Sequence, residues 1–241
     1  MQDSLIVFNH IPRTSGSSIH ASFDEALKSR NFFVFNGSLE DEQKFAAAFN
    51  DRGAGVFYTG GHIGFQRLQK LGLLNDENLL FSIVRDPVER MLSLYYLMRR
   101  SPDWQPHIAA HVGDRDFAYY YDFCREKGFH TGNAQCRAIA GVESFEAARE
   151  RVSQHYSLVG CLSHVAMTYN ALEVIVRNFL PEFRYLGPMN EAPRDGQTIS
   201  SGLAERIRQD SSEDCLLVDF IERDCGGLFS RSLQRWSLAR G

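Results

Sequence analysis

Short apolar runs alternate with amphipathic segments along most of the 241-residue chain. Continuous apolar runs indicate buried strands, whereas apolar residues spaced three or four apart indicate helices. Strands are predicted at residues 5–8, 31–35, 55–59, 79–84, 156–160 and 183–186. Helices are predicted at residues 19–27, 40–49, 65–71, 87–100, 164–180 and 203–221, the last broken near residues 210–212. This alternation is typical of an α/β fold with a mostly parallel sheet and helices on both faces.

The chain is predicted to form one domain over residues 1–241. Its length allows a substantial core, and no repeat or linker divides it. The apolar and charged fractions, 44% and 23%, are ordinary for a globular protein. Residues 200–221 are expected to cover the fold as C-terminal helices, and the aromatic segment 102–129 is expected to be a helical insertion.

The first predicted strand ends in a short loop rich in hydroxyl groups. This loop and the start of the next helix contain Arg13, Thr14, Ser15, Gly16, Ser17 and Ser18. Free N–H groups, the positive end of the helix dipole and a guanidinium group together favour a bound phosphate. The loop is not a Walker A motif, because the Gly-Lys-Ser/Thr ending is missing. The alternative is an ordinary strand-to-helix turn with a serine N-cap.

A second strand and helix repeat this arrangement further along the chain. Arg85 follows the strand at 79–84, and Asp86 and Pro87 suit the N-cap and the first position of a helix. Ser93 lies about two turns into that helix. The carboxyl ends of two strands of one sheet can hold the two ends of a doubly phosphorylated nucleotide. The alternative is that Arg85 and Ser93 are surface and capping residues.

Together the two segments resemble the sulfotransferases that use phosphoadenosine phosphosulfate (PAPS), in the branch that includes heparan sulfate 2-O-sulfotransferase and bacterial relatives. In that branch the first loop reads roughly His-Ile-Pro-Lys-Thr-Gly-Gly-Thr-Ser, and this chain has His-Ile-Pro-Arg-Thr-Ser-Gly-Ser-Ser from residue 10. The second segment reads Val-Arg-Asp-Pro-x-x-Arg followed by a serine, which this chain matches from Val84 to Ser93. Further matches, in the family's order, are Gly61–Phe65, Asn133–Arg137 and Tyr156–Gly160.

The resemblance implies a P-loop-like three-layer fold and an enzyme that transfers a sulfuryl group from PAPS to an acceptor hydroxyl by direct in-line displacement. It implies that residues 13–18 bind the 5′-phosphosulfate, and that Arg85 and Ser93 bind the 3′-phosphate. The nucleotide product is then adenosine 3′,5′-bisphosphate, and the scheme requires no metal. The expected acceptor is a carbohydrate, a glycolipid or a small metabolite.

His62 is the catalytic base that the resemblance implies, because it lies in the family's Gly-His segment. The alternative is a structural histidine. Arg13 is the second implied catalytic residue, although the family usually has lysine there, and Ser15 replaces a usual glycine. Arginine keeps the charge and the phosphate-binding geometry but is not an ordinary proton donor. Whether Arg13 does more than neutralise charge on the bridging oxygen is therefore left open.

The acceptor-binding candidates are Arg137, Tyr119 and Tyr120. The two tyrosines lie in the aromatic segment, which borders the acceptor pocket in the family; the alternative is that they form core. His107 and His111 in the same segment could share one face of a helix. No third ligand or zinc motif accompanies them, so no metal site is predicted.

Charge and composition restrict the partners and the compartment. The net charge of −4 and the isoelectric point near 6.1 predict no general attraction to nucleic acid or anionic membranes. No apolar stretch approaches the roughly 20 residues that span a bilayer, and no targeting segment is recognised before the first strand. The five cysteines form no CxxC pair and are expected to be reduced. These features predict a cytoplasmic bacterial protein, and nothing in the sequence predicts its oligomeric state.

Two other functions fit parts of the pattern. A P-loop-like small-molecule kinase would use a nucleoside triphosphate and magnesium, but the Walker lysine and an obvious acidic strand end for the metal are missing. A non-catalytic nucleotide-binding scaffold would keep the same fold. His62 and the intact loop argue against that alternative.

Overall fold

In the part of the chain that the structure describes, six strands form one sheet. The computed structural model describes residues 4–28, 30–38, 40–101, 115–188 and 199–231, together with residues 106, 108, 110 and 113. The strands are β1 Ser4–Asn9, β2 Phe32–Phe35, β3 Val56–Gly61, β4 Leu79–Val84, β5 Leu158–Cys161 and β6 Leu228–Ser230. Their order in the sheet is β2-β3-β1-β4-β5-β6, and β6 alone among them runs antiparallel to its neighbour.

The helices follow the strands in much the order that the apolar pattern predicts. They are α1 Gly16–Leu27, α2 Asp41–Asn50, α3 Phe65–Lys70, α4 Pro87–Arg100, α5 Phe117–Lys127, α6 Ala134–Ala140, α7 Phe145–His155, α8 Val165–Val176, α9 Ser201–Asp210 and α10 Ser212–Asp219. The start of α4 is as predicted: Pro87 is its first residue, and the Asp86 carboxylate accepts a 2.9 Å hydrogen bond from the N–H of Glu89.

Helices cover both faces of the sheet. Successive residues of a strand point to opposite faces. Val7 of β1 therefore packs in one apolar cluster with Phe45 of α2, whereas Phe8 packs in a second cluster with Phe23 of α1 and Leu172 of α8. Strands buried on both faces read as continuous apolar runs, which is why they could be recognised in the sequence. The predicted α/β fold class is confirmed.

A third apolar cluster joins α4, α5 and α9. Tyr95, Tyr120 and Ile207 are all fully buried in it. Leu217 of α10 lies in the first cluster, and the covering role of residues 200–221 stays a prediction. The predicted break near residues 210–212 is confirmed at Ser211, which separates α9 from α10.

The strand predicted at residues 183–186 is wrong. These residues have no regular secondary structure. Their apolar character has another cause: Phe183 is buried in the second cluster, and the Tyr185 ring stacks on Tyr169 with the ring centroids 3.6 Å apart. Burial without strand pairing produces the same short apolar run. The antiparallel strand β6 was not predicted, because its three residues carry too short a signal.

Part of the aromatic segment 102–129 lies outside the described residues, including Trp104, His107 and His111. Within the described part, residues Phe117–Lys127 form the helix α5. Among the described residues of the chain, no group of histidine, cysteine, aspartate and glutamate side chains is arranged to hold a metal ion. The assignment of this segment as an insertion near an acceptor site stays a prediction, as does the single domain over 1–241.

Among the helices that the structure describes, none has both the length and the apolar character needed to cross a membrane.

Gly160 of β5 tests the packing of α8 on the sheet. A Cβ atom there would lie 2.1 Å from Oγ1 of the buried Thr168, so we expect Gly160→Ala to destabilise the protein by about 1–3 kcal/mol. The matched control is Gly202→Ala in α9, where a Cβ meets no atom within 4 Å and helix propensity improves. Urea unfolding measures both variants, and equal midpoints would contradict the packing described here.

Candidate active site

The carboxyl ends of β3, β1 and β4 lie side by side and carry the predicted residues. Within the sheet, β3 and β2 lie on one side of β1, and β4, which follows them in the chain, lies on the other side of β1. Such a switch point leaves a crevice at the carboxyl ends of the strands. His62 follows β3, the loop at residues 10–15 follows β1, and Arg85 follows β4. Three separate segments of the sequence therefore meet at one edge of the sheet.

The loop after β1 turns through two residues in the left-handed conformation. Arg13 and Ser15 both have a φ of 72°, which costs a residue with a side chain roughly 1–2 kcal/mol. The Thr14 hydroxyl donates to the Ile11 carbonyl at 2.8 Å. The Ser15 hydroxyl shares a hydrogen bond with the hydroxyl of Tyr169 on α8. These contacts hold the turn in a shape that glycine would adopt more easily.

The first turn of α1 follows directly. In the part of the chain that the structure describes, no side chain caps this turn with a hydrogen bond. Gly16 and Ser18 are buried and Ser17 is exposed. The first N–H groups of a helix and its positive end favour an anion at this position. The structure thus has a helix N-terminus at the predicted place, and its binding of an anion stays a prediction.

Gly16 allows the His10 ring to lie directly against the start of α1. A Cβ atom at Gly16 would lie 2.0 Å from Cε1 of His10, a distance at which the two cannot coexist. The His10 ring stacks between Phe8 and His62, with ring centroids 5.3 Å and 4.8 Å away. The edge of His20 completes the group at 5.4 Å. The imidazole rings of His10, His20 and His62 therefore form one cluster in the site.

Arg13, Ser93 and Arg85 form one hydrogen-bonded group across the ends of β1 and β4. Arg13 Nε donates to Ser93 Oγ at 3.1 Å, and Arg85 Nη1 donates to the Arg13 carbonyl at 3.2 Å. The Arg85 guanidinium also lies 3.5 Å from the Glu89 carboxylate. Burial lowers the pKa of Arg13, and repulsion by Arg100 lowers it further. Concentrated positive charge of this kind attracts an anion.

His62 is held in one tautomer by the backbone. Its Nδ1 lies 3.1 Å from the carbonyl oxygen of His10, which can only accept a hydrogen bond, so Nδ1 carries the proton. In the neutral ring Nε2 is then left with a lone pair. Burial lowers the pKa of His62 below its usual 6.5, although the bond to His10 opposes this shift. At neutral pH the ring is therefore uncharged and able to accept a proton.

An open groove of about 490 Å³ begins at His62 and runs along α3 toward α6. Arg137 lines the same groove, so the structure brings this predicted acceptor residue together with His62. Arg137 forms an ion pair with Glu143 at the surface. Arg67 and Lys70 also line the groove and both pair with one carboxylate, that of Glu42. The groove is therefore polar and charged rather than apolar.

The two predicted acceptor tyrosines do not line this groove. Tyr120 is fully buried in the third apolar cluster. Tyr119 is exposed on α5, where the Arg115 guanidinium lies 5.0 Å from the centre of its ring. The burial of Tyr120 favours the core alternative for that residue, because a side chain with no exposed surface offers no face to a ligand.

Comparison with known proteins agrees with the motifs. No family model matches the chain. Over 206 residues it is 23% identical to heparan sulfate 2-O-sulfotransferase 1 of Mus musculus, which covers 74% of this chain and 56% of that protein. It is 24% identical over 204 residues to heparan sulfate 2-O-sulfotransferase hst-2 of Caenorhabditis elegans, and this match covers 73% of this chain and 61% of that protein. The chain thus spans little more than half the length of these curated relatives.

A solved structure shows the same architecture. The crystal structure of a sulfotransferase from Alicyclobacillus acidocaldarius superposes with a TM-score of 0.50 and 10% sequence identity, over 92% of this chain and 96% of that one. The chain has the sulfotransferase fold. The resemblance predicted from its motifs is confirmed.

One buried residue that links three segments of this sulfotransferase fold was missed by the sequence analysis. Asn9 is buried at the end of β1. Its Nδ2 donates to the Ala138 carbonyl at 2.9 Å and to the Tyr156 hydroxyl at 2.8 Å, while its Oδ1 accepts from the N–H of Gly64 at 3.1 Å. Asn9 thereby ties β1 to α6, to the residue that follows α7 and to the loop that carries His62. A polar residue at the end of an apolar strand was the available signal.

The histidines of the site make stability fall as the pH falls. Burial lowers the pKa of His20 to about 4, so below pH 6.5 the unfolded chain binds a proton there that the folded protein does not. Each pH unit below 6.5 then removes up to about 1.4 kcal/mol of stability per such histidine. We expect His20→Gln to reduce the difference between urea unfolding at pH 7.5 and at pH 5.5. If His20→Gln left the difference in stability between the two pH values unchanged, the lowered pKa of His20 would be contradicted.

Proposed function

We propose that this protein transfers a sulfuryl group from PAPS to an acceptor hydroxyl by direct in-line displacement. The observation that carries the proposal is the contact between the two phosphate-binding segments. Arg13 reaches Ser93 at 3.1 Å and Arg85 reaches Arg13 at 3.2 Å, across the ends of two adjacent parallel strands. The curated relatives, named as sulfotransferases, support the same reaction.

The residues present fit an anionic nucleotide donor. The uncapped first turn of α1 and the Arg13 guanidinium would hold the 5′-phosphosulfate, and Arg85 with Ser93 would hold the 3′-phosphate. Thr14 contributes its backbone N–H, because its hydroxyl is already bound to the Ile11 carbonyl. PAPS supplies an activated sulfuryl group whose leaving group is adenosine 3′,5′-bisphosphate.

Arg13 acts by charge rather than by proton transfer. A guanidinium group keeps its proton under ordinary conditions, even though burial lowers the pKa of Arg13. Its place at the helix terminus suits it to stabilise negative charge that develops on a leaving phosphate. Such fixed positive charge is often the largest single contribution to catalysis. The cations of the chain serve in this scheme, and no metal is required.

His62 acts as the general base. Its Nδ1 proton is committed to the His10 carbonyl, so Nε2 accepts the proton of the acceptor hydroxyl. The acceptor, a carbohydrate, a glycolipid or a small metabolite, occupies the groove that begins at His62. Arg137 lines that groove and is placed to bind the acceptor. A cytoplasmic bacterial location is part of the proposal, and the five cysteines, which are all free thiols, support it.

The donor site is tested first. We expect isothermal calorimetry to show binding of adenosine 3′,5′-bisphosphate and Arg85→Ala to weaken it at least tenfold, because a charged hydrogen bond is worth about 1.5–3 kcal/mol. The control is Arg149→Ala on α7, an exposed arginine paired with Glu146. Failure of the folded wild type to bind the bisphosphate would refute the proposal, and stabilisation by ATP with magnesium instead would indicate a kinase.

The substitution His62→Asn tests the role of His62 as a base separately from its hydrogen bond to the His10 carbonyl. The asparagine amide can still donate to the His10 carbonyl, but it provides no base. We expect transfer from labelled PAPS to fall by about 10²–10⁴-fold while affinity for adenosine 3′,5′-bisphosphate is unchanged.

The pH profile provides a second test of the same role. Burial lowers the pKa of His62 from 6.5, so the activity of the wild type should decline with acid only below that pH. Full activity in His62→Asn would remove His62 from the mechanism.

A further inference from the structure

The geometry points to Gln135 as a positioning residue that fixes Arg85 in the 3′-phosphate subsite. Gln135 is fully buried at the start of α6. Its side-chain amide makes both available bonds to the Arg85 backbone: Oε1 accepts from the Arg85 N–H at 2.9 Å, and Nε2 donates to the Arg85 carbonyl at 2.8 Å. This inference rests on the proposed function.

The two bonds extend the sheet by one residue. Val84, the last residue of β4, still pairs with Cys161 of β5. At Arg85 the Gln135 amide occupies the place of a neighbouring strand and satisfies both backbone groups. The chain direction at the end of β4 is therefore set before α4 begins. In a loop without these two hydrogen bonds, Arg85 could adopt several backbone conformations.

Gln135 is itself held by a reciprocal pair of helix caps. The Asp214 carboxylate accepts from the N–H of Gln135 at 3.0 Å and from the N–H of Cys136 at 2.8 Å. In return the Asn133 side-chain oxygen accepts from the N–H groups of Glu213 and Asp214 at 2.9 Å and 3.2 Å. The starts of α6 and α10 thus cap each other, and Gln135 projects from a fixed point.

The consequence for binding is pre-organisation. Because its backbone is clamped, Arg85 keeps its guanidinium next to the first loop, 3.2 Å from the Arg13 carbonyl. An arginine that is already in place loses less conformational freedom when a phosphate binds. Gln135 touches neither phosphate in this scheme and acts only through Arg85. Gln135, which lies within the family match at Asn133–Arg137, thereby receives a role in donor recognition.

The test compares two nucleotides that differ only in the 3′-phosphate. Calorimetry gives the ratio of affinities for adenosine 3′,5′-bisphosphate and adenosine 5′-monophosphate in the wild type, in Gln135→Glu and in Gln135→Met. An ionised glutamate has the same shape but cannot donate to the Arg85 carbonyl, and methionine makes neither bond. We expect both variants to lower the ratio at least tenfold, the effect also expected of Arg85→Ala.

A control distinguishes positioning from general loss of stability. Val152→Ala removes buried apolar contacts of α7 in the first cluster without touching Arg85. It should lower the melting temperature but keep the wild-type ratio, because a structural defect weakens both nucleotides alike.

Hydrogen exchange in the wild type gives a second measurement that does not require a folded variant. The Arg85 amide should be protected from exchange in the absence of any nucleotide, since it is bonded to Gln135. Exchange at the rate of an open loop would overturn the inference.

The outcomes separate the inference from the proposed function. A wild type with no preference for the 3′-phosphate overturns both. A wild-type preference that persists in Gln135→Glu and Gln135→Met overturns the role of Gln135 alone.

Discussion

The parallel pairing of β1 with β3 and β4 is the arrangement on which the site depends. In the register of the sheet Asn9 lies opposite Gly61, and Phe8 lies opposite Phe81. The three strands therefore reach the same edge, and the loops that follow them meet there. A shift in this register would separate His62 and Arg85 from the loop after β1. The hydrogen bonds that join these loops to one another presuppose this alignment.

This arrangement costs folding free energy, because it brings several arginine side chains together where they are partly or fully buried. Arg13 and Arg85 lie close together, and Arg90 is fully buried with its Nη2 donating to the His130 carbonyl at 2.7 Å. Burial lowers the pKa of Arg90, while the buried carboxyl of Asp214 opposes that shift. Buried positive charge is destabilising unless counter-charges compensate it, as the carboxylates of Glu89 and Asp214 do here for Arg85 and Arg90. Under the proposed function, the phosphates of the donor would add counter-charge beside Arg13 and Arg85 and would thereby stabilise the fold.

The sequence predicted those parts of the site whose signals are local. The apolar runs of β1 and β4 mark strands because both faces are buried, and Asp86 with Pro87 marks the start of α4 because a cap and a first-turn proline act within a few residues. The hydroxyl-rich loop carries its signal in the same way. These features need no knowledge of how distant segments pack.

The parts that the sequence did not predict depend on distant contacts. Gln135 binds Arg85 from 50 positions away, and Tyr169 binds Ser15 from 154 positions away. Neither partner is recognisable from its own neighbours. The prediction of a strand at 183–186 failed for a related reason, since an apolar run shows burial but not strand pairing. Composition likewise does not distinguish a buried tyrosine such as Tyr120 from one that contacts a ligand.

The contact of His10 with Gly16 has a consequence for how sequences with this fold can vary. The imidazole ring occupies the space that a side chain at position 16 would need, with only 2.0 Å between its Cε1 and such a Cβ atom. A larger residue at position 16 is therefore acceptable only together with a smaller one at position 10. The two positions, six residues apart, are therefore coupled in one direction: a side chain at position 16 requires a smaller residue at position 10, whereas a smaller residue at position 10 does not clash with Gly16. Functional homologues with a larger residue at position 16 should accordingly carry a smaller one at position 10.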